Sequence, residues 1–198
     1  MDVVTAYLYG SLDNDIYMKI PEGFKPPEAK KILKRFYMDK AHSLASPMVV
    51  RSLDTNKDPF RPLEHGEKII GPGVPYLSAI GALSYLANFT RPDIAFSVNL
   101  LARYSSSPTR RHWNGVKHIF RYLRGTTNMG LFYSKKSDLS LIGYADAGYL
   151  SDPHKAKSQT GYVFTRGDTA ISWKSTKQTL TATSFNHSEI IAMHEASR

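Results

Sequence analysis

Two hydrophobic periods divide this chain. Between Tyr76 and Arg124 apolar residues recur every three or four positions, and after Gly130 they alternate. In the first region, Ile80, Leu83 and Ala87 share one face of a predicted helix over 76–89, and Tyr76 and Leu77 extend that face. Ser78, Gly81, Ala82 and Ser84 are small enough to let a neighbouring helix come close. Thr90 is the predicted cap of a second helix, with Pro92 and Asp93 in its first turn and Ile94, Val98 and Leu101 inward, ending near Tyr104. A third helix starts at Ser107 and Pro108. Its stripe of Trp113, Val116, Phe120 and Leu123 has spacings of 3, 4 and 3, and Gly125 fits a left-handed stop.

Beyond Gly130 the pattern predicts strands. Leu131 and Tyr133, then Leu139, Leu141 and Gly143, alternate. Residues 161–165 and 170–173 form two more strands, turned by Arg166-Gly167-Asp168-Thr169. Residues 179–183 offer a further strand, and Asn186 or Ser188 caps a last helix from Glu189 to Ala196. The N-terminal third is different. Residues 1–24 read as a short helical or turn segment stopped by Pro21 and Gly23. Residues 25–30 read as a linker and 47–75 as irregular. An aperiodic stretch that long is unusual inside a compact domain.

Composition narrows the classes. The chain has 198 residues and 41% apolar content, enough for one or two packed domains. A net charge of +9 favours polyanionic partners, nucleic acid before acidic membrane, although a basic surface also serves solubility alone. The absence of cysteine excludes disulfides and thiolate zinc sites and fits a reducing compartment. No secretory leader and no apolar run of membrane-spanning length are visible, so an intracellular, non-membrane protein is expected, nuclear or cytoplasmic.

Few residues carry candidate chemistry. The predicted helix 107–124 holds Arg110, Arg111, Lys117, Arg121 and Arg124, with His112 and His118, and no acid. Such a face suits phosphate contacts, and it equally suits the solvated side of an amphipathic helix. Trp113 lies on the apolar stripe, as a core anchor does. Asp146 sits in an apolar strand, in Gly143-Tyr144-Ala145-Asp146-Ala147-Gly148, and Glu189 opens a helix, where the dipole alone favours an acid. Together a strand acid and a helix acid can supply hard oxygen ligands to magnesium. Asp152-Pro153 has the form of a turn initiator. His187 lies two residues from Glu189, off its helical face, and reads as a cap or surface residue. Arg166-Gly167-Asp168 reads as a hairpin turn and not as an adhesion motif.

These segments resemble a known family in order along nearly the whole chain. The runs from Tyr76 to Ala87 and from Thr90 to Ile94, then His112-Trp113 and the run from Arg121 to Thr126, resemble the link between polymerase and RNase H in the polyprotein of copia-type LTR retrotransposons, especially plant ones. The Gly143–Ala147 run, Ser158-Gln159-Thr160-Gly161-Tyr162-Val163-Phe164, Ile171-Ser172-Trp173-Lys174-Ser175 and Ser188-Glu189-Ile190-Ile191-Ala192 resemble the start of RNase H. The run from Asp2 to Gly10 resembles the first catalytic motif of reverse transcriptase. That likeness implies a polymerase metal ligand at Asp2 and a ribonucleotide-excluding gate at Tyr7. The paired-aspartate motif of that polymerase is absent, and the text jumps near Lys30-Lys31 to a stretch resembling the far end of the polymerase.

The resemblance implies an α+β chain in four parts: a vestigial palm fragment (1–30), an irregular junction (31–75), a helical connection subdomain (76–128) and a truncated RNase H-like mixed sheet with its first helix (129–198). It implies magnesium at Asp146 and Glu189, an RNA–DNA hybrid as partner, and no small-molecule cofactor. The third acid of such nucleases is expected beyond Arg198. The expected activity is therefore weak or lost. The alternative is a non-catalytic basic nucleic-acid-binding module, and a chain with little stable fold is a third expectation, since a truncated sheet leaves an exposed edge. Phe185 departs from the residues usual at its place in that family.

Overall fold

The computed structural model describes residues 28–133 and 140–198, and these form two compact units divided at Gly130 and Leu131. The positions Asp2 and Tyr7 lie outside the described residues, as does part of the expected strand around Leu139.

The first unit is helical. It contains α1 (Glu28–Arg35), α2 (Tyr76–Phe89), a 3-10 turn (Pro92–Ile94), α3 (Ala95–Ala102) and α4 (Arg110–Gly125). The periodic positions bury as their spacing predicts: Ile80, Leu83, Ala87, Ile94, Val98, Leu101, Val116, Phe120 and Leu123 lose nearly all solvent contact, and Leu86, Leu100 and Ile119, which the stripes do not single out, join them. Each large aliphatic or aromatic side chain so buried contributes about 1.5–3 kcal/mol of transfer free energy. Leu77 does not join them; it is 65% exposed, because it falls a hundred degrees round the helix from Tyr76. Thr90 caps nothing ahead of it. Its hydroxyl turns back to the Leu86 carbonyl at 3.4 Å, closing α2 instead. Gly125 is the last residue of α4 and lies outside the left-handed region, which among the described glycines is taken by Gly66 and Gly167. What restricts position 125 is proximity: a Cβ there would stand 3.1 Å from Ser43 Cβ and 3.3 Å from the Leu44 carbonyl oxygen.

The aperiodic stretch is irregular in secondary structure but not loose. Helix α1 begins at Glu28, so the expected linker gives way to helix before Lys30, and Ala29 and Leu33 are buried. Phe36 stacks on Phe120 at 5.0 Å, and Met48 and Phe60 enter the same core. Backbone bonds tie the segment down, from Leu44 N–H to Arg121 O (3.3 Å) and from Ile70 N–H to Pro108 O (2.8 Å). Inside it, Arg51 donates to the fully buried Asp58 (Nη2 to Oδ2, 2.6 Å).

The second unit is a three-stranded sheet with one helix. Strands β1 (Leu141–Asp152), β2 (Lys157–Arg166) and β3 (Thr169–Lys177) run antiparallel in the order β1-β2-β3, followed by α5 (Phe185–Ala196). The described strands make no parallel pair, so the expected mixed sheet is here a plain antiparallel meander. The hairpin at Gly167 and Asp168 has both central residues at positive φ (54° and 62°), the turn whose twist matches its strands. The Arg-Gly-Asp tripeptide is thus a hairpin turn. Residues 179–183 form no strand. Ser184 caps α5, its Oγ accepting the His187 N–H at 3.1 Å, so the helix starts four residues before its expected first residue. No helix among the described residues is long and apolar enough to cross a membrane.

Candidate functional site

Asp146 lies on β1 opposite Gly161 of β2, half-buried, one residue before the buried Ala147. Glu189 comes from α5, in its second turn, where the helix N-terminus no longer explains an acid. A buried polar clamp seats that helix. Gln178 Nε2 donates to the Ser188 carbonyl (2.9 Å) and to Thr160 Oγ1 (3.2 Å), and the Gln178 N–H donates to the Ser158 carbonyl (2.9 Å). So seated, Glu189 Oε2 accepts the Ala147 N–H at 3.2 Å. The two acids, 43 positions apart in sequence, thus converge on adjacent residues of one strand.

The other acid and histidine that the sequence singles out, Asp152 and His187, serve the fold. Asp152 accepts from the His154 N–H at 3.2 Å and from Lys177 Nζ at 3.5 Å. His187 Nδ1 accepts from the Thr183 N–H at 3.3 Å, at the helix cap. Carboxylate oxygens suit magnesium in kind. They do not suit a two-ion site in number: among the described residues no group of three or more His, Cys, Asp or Glu is placed to hold a metal ion. Two ions bridged about 4 Å apart draw on more carboxylates than Asp146 and Glu189 supply.

The five cations of α4 part ways. Arg111, Lys117 and Arg121, with His118, line a cavity of about 420 Å³ between α4 and residues 38–60. Met38, Val49 and Phe60 give it apolar walls. Arg110 is exposed and outside it, and Arg124 is spent on the Asp39 carbonyl (Nε to O, 2.6 Å). Arg121 also donates Nε to the His42 carbonyl (2.9 Å), and Arg111 pairs with Glu67 and with Glu64 (3.3 Å). Arg111 Nε is buried with no hydrogen-bond partner.

The two histidines are not part of the cationic face. His112 is buried and stacks on Tyr104 at 4.0 Å. Its Nδ1 accepts the Thr109 N–H (3.0 Å), which leaves Nε2 to carry the proton and donate to the Arg61 carbonyl (3.1 Å). Burial lowers its pKa from the ordinary histidine value. His118 contacts the Ser46 carbonyl through Nε2 (3.1 Å), and burial lowers its pKa too. Trp113 is half-buried beside Tyr76, with ring centroids 6.5 Å apart, in the anchoring role its stripe predicts.

Sequence reasoning missed two arrangements. One is a buried network: Arg91, 4% exposed, donates Nη2 to Asp93 (2.6 Å) and to Thr126 Oγ1 (2.7 Å), and Tyr122 donates its hydroxyl to Asp93 (2.7 Å). Burial and the Asp93 carboxylate push the Tyr122 hydroxyl pKa strongly up, so it stays protonated and donating. The motif runs held all four residues, but nothing in them said that they meet. The other is the cavity itself, whose apolar walls come from the aperiodic segment, where no periodic signal exists.

Comparison with known proteins finds relatives along most of the chain. It is 40% identical over 169 residues, 85% of its length, to a retrovirus-related Pol polyprotein from transposon TNT 1-94 of Nicotiana tabacum, of which it covers 12%. It is 37% identical over 163 residues to the retrovirus-related Pol polyprotein from transposon RE2 of Arabidopsis thaliana, covering 11% of that protein. It is also 39% identical over 125 residues, 63% of this chain, to a secreted RxLR effector protein of Plasmopara viticola, 88% of which is matched. The chain therefore spans about a tenth of the polyproteins it matches and most of the effector protein. No family model and no solved structure matches it.

Proposed function

The chain belongs to the Pol polyproteins of copia-type LTR retrotransposons, and on that premise we propose that its second unit is the opening part of an RNase H-like domain. In this reading Asp146 and Glu189 occupy the places of two magnesium-binding carboxylates. The parent activity is hydrolysis of the RNA strand of an RNA–DNA hybrid, inside the cell. Residues 76–128 are the helical connection to a polymerase, and Asp2 and Tyr7 are vestiges of that polymerase's first motif.

One contact carries this reading. Glu189 Oε2 meets the Ala147 N–H at 3.2 Å, which sets the helix acid beside the strand acid. Two acids in that arrangement have the right chemistry for magnesium and too little charge to clamp an ion pair. We therefore assign this stretch weak or no turnover by itself. A labelled RNA–DNA hybrid incubated with the chain and magnesium is expected to remain intact over many protein equivalents. Robust cleavage that Asp146→Asn abolishes would overturn the assignment.

A second reading rests on α4: a nucleic-acid-binding module that needs no chemistry. Three cations gather there in one cavity whose lining contains no carboxylate. Retention of labelled nucleic acid that weakens steeply with salt, without cleavage, supports it; no retention at low salt removes it.

A further inference from the structure

We propose that the cavity between α4 and residues 38–60 is a single-nucleotide pocket that takes one unit of a single nucleic-acid strand, phosphate on the α4 cations and base against the apolar wall. This rests on the nucleic-acid-binding reading of α4 and goes beyond it, from a diffuse basic face to one defined site.

Shape and lining lead to that ligand. A volume of about 420 Å³ lies within the range of pre-formed small-ligand sites, about 300–1,000 Å³, and is too small for a duplex. Its lining divides by chemistry. Arg111, Lys117 and Arg121 come from α4, six and four residues apart along the helix. The apolar part of the lining is Met38, Val49 and Phe60; Val49 is its exposed member, and Phe60, 3% exposed, closes the floor. A nucleotide has the same two ends, an anionic phosphate and a flat apolar base, and single-strand sites pair a cationic track with aromatic surfaces.

Two further observations fit. Arg111 holds its guanidinium at the wall through Glu64 and Glu67, yet its Nε is buried with no acceptor. The exposed part of that guanidinium is what a phosphate in the cavity would meet. Tyr37 directly precedes the lining residue Met38. It is 90% exposed and sits at φ 56°, a strained conformation for a tyrosine. An aromatic ring presented to water at the end of α1 is a stacking surface for a second base.

The test is a fluorescence anisotropy titration of the full chain with a labelled twelve-nucleotide oligo-dT, comparing Lys117→Glu with Arg110→Glu. Both residues lie on α4 and both changes alter net charge equally, but Lys117 lines the cavity and Arg110 does not. The pocket predicts a tenfold or greater loss of affinity for Lys117→Glu and at most a twofold loss for Arg110→Glu. It also predicts a shallow logarithmic salt slope of about −0.7, as one phosphate neutralised on a single strand gives. Equal losses in the two variants would overturn the pocket and keep a diffuse nucleic-acid-binding face. No binding of the unaltered chain at low salt would overturn both. Displacement of the oligonucleotide by polyglutamate as effectively as by unlabelled oligo-dT would also overturn the proposal, by showing a site for acidic peptide.

Discussion

The two units of this chain bury different things. The helical unit buries aliphatic and aromatic side chains in one continuous core, from Leu33 and Phe60 to Phe120 and Leu123. The sheet unit, among its described residues, buries no apolar side chain larger than alanine: Ala147, Ala182 and Ala192. Its fully buried residues are otherwise polar, Asp152, Ser158, Gln159, Thr160, Gln178 and Ser188, and Gln178 Oε1 has no partner among them. Many of its large apolar residues face out, among them Leu141, Ile142, Tyr144, Phe185, Ile190 and Met193, and Val163, Phe164, Trp173 and Ile191 are only half-buried. The hydrophobic effect scales with the apolar area removed from water, so the first unit has a driving force of its own that the second largely lacks. The acids of interest sit in the unit with the weaker core.

The sharpest break in that contrast comes from truncation. Phe120→Ala in the helical unit is expected to cost about 3–5 kcal/mol, read as a lowered denaturation midpoint for that unit. Arg91→Ala leaves Asp93 without its guanidinium and is expected to cost about 3–5 kcal/mol, again in the helical unit. A cost under about 1 kcal/mol for either change would mean that this unit is no better packed than the sheet.

The pH response sharpens the same contrast. His112 and His118 are both held neutral by burial, so their folded pKa values lie below the unfolded value near 6.5. Below pH 6.5 the unfolded chain takes up protons that the folded unit resists. Stability is therefore full above that pH and falls as pH drops through 6.5 toward the lower folded values. His112→Gln removes one titrating group, keeps a residue suited to the helix-capping role, and should flatten the slope of melting temperature against pH. An unchanged slope would mean that His112 takes no part.

Smaller effects are expected in the sheet unit. Glu189→Ala leaves the Ala147 N–H without its acceptor and should cost about 1 kcal/mol, while Glu189→Gln keeps an oxygen there and should cost less. Ile190→Ser is expected to change stability by no more than about 0.5 kcal/mol and to raise solubility, since it removes an exposed apolar side chain. A large loss from Ile190→Ser would show that its face is covered after all.

Much of the first unit was legible because periodicity records burial. Ile94, Val98, Leu101, Val116, Phe120 and Leu123 all follow the helical stripe inward. Boundaries were less legible, because caps depend on local hydrogen bonds that several residues can make. Thr90 and Ser188 both have the chemistry of an N-cap, yet the bonds go to Leu86 and, through Ser184, to His187. The strand acid and the helix acid were visible as residues, but the Ala147 contact that joins them depends on the Gln178 clamp, which spans the stretch once expected to be a strand. The cavity was invisible because Met38, Val49 and Phe60 are held by backbone bonds and ion pairs of an aperiodic segment, and those leave no repeat in the sequence.

Ion counting tests the central claim most directly. Manganese titrated into the full chain and followed by electron paramagnetic resonance reports free ion, and so the number bound. A site short of carboxylates should hold at most one ion, weakly, with little change in Asp146→Asn. Two ions held tightly at stoichiometric concentration, and released by that substitution, would contradict it.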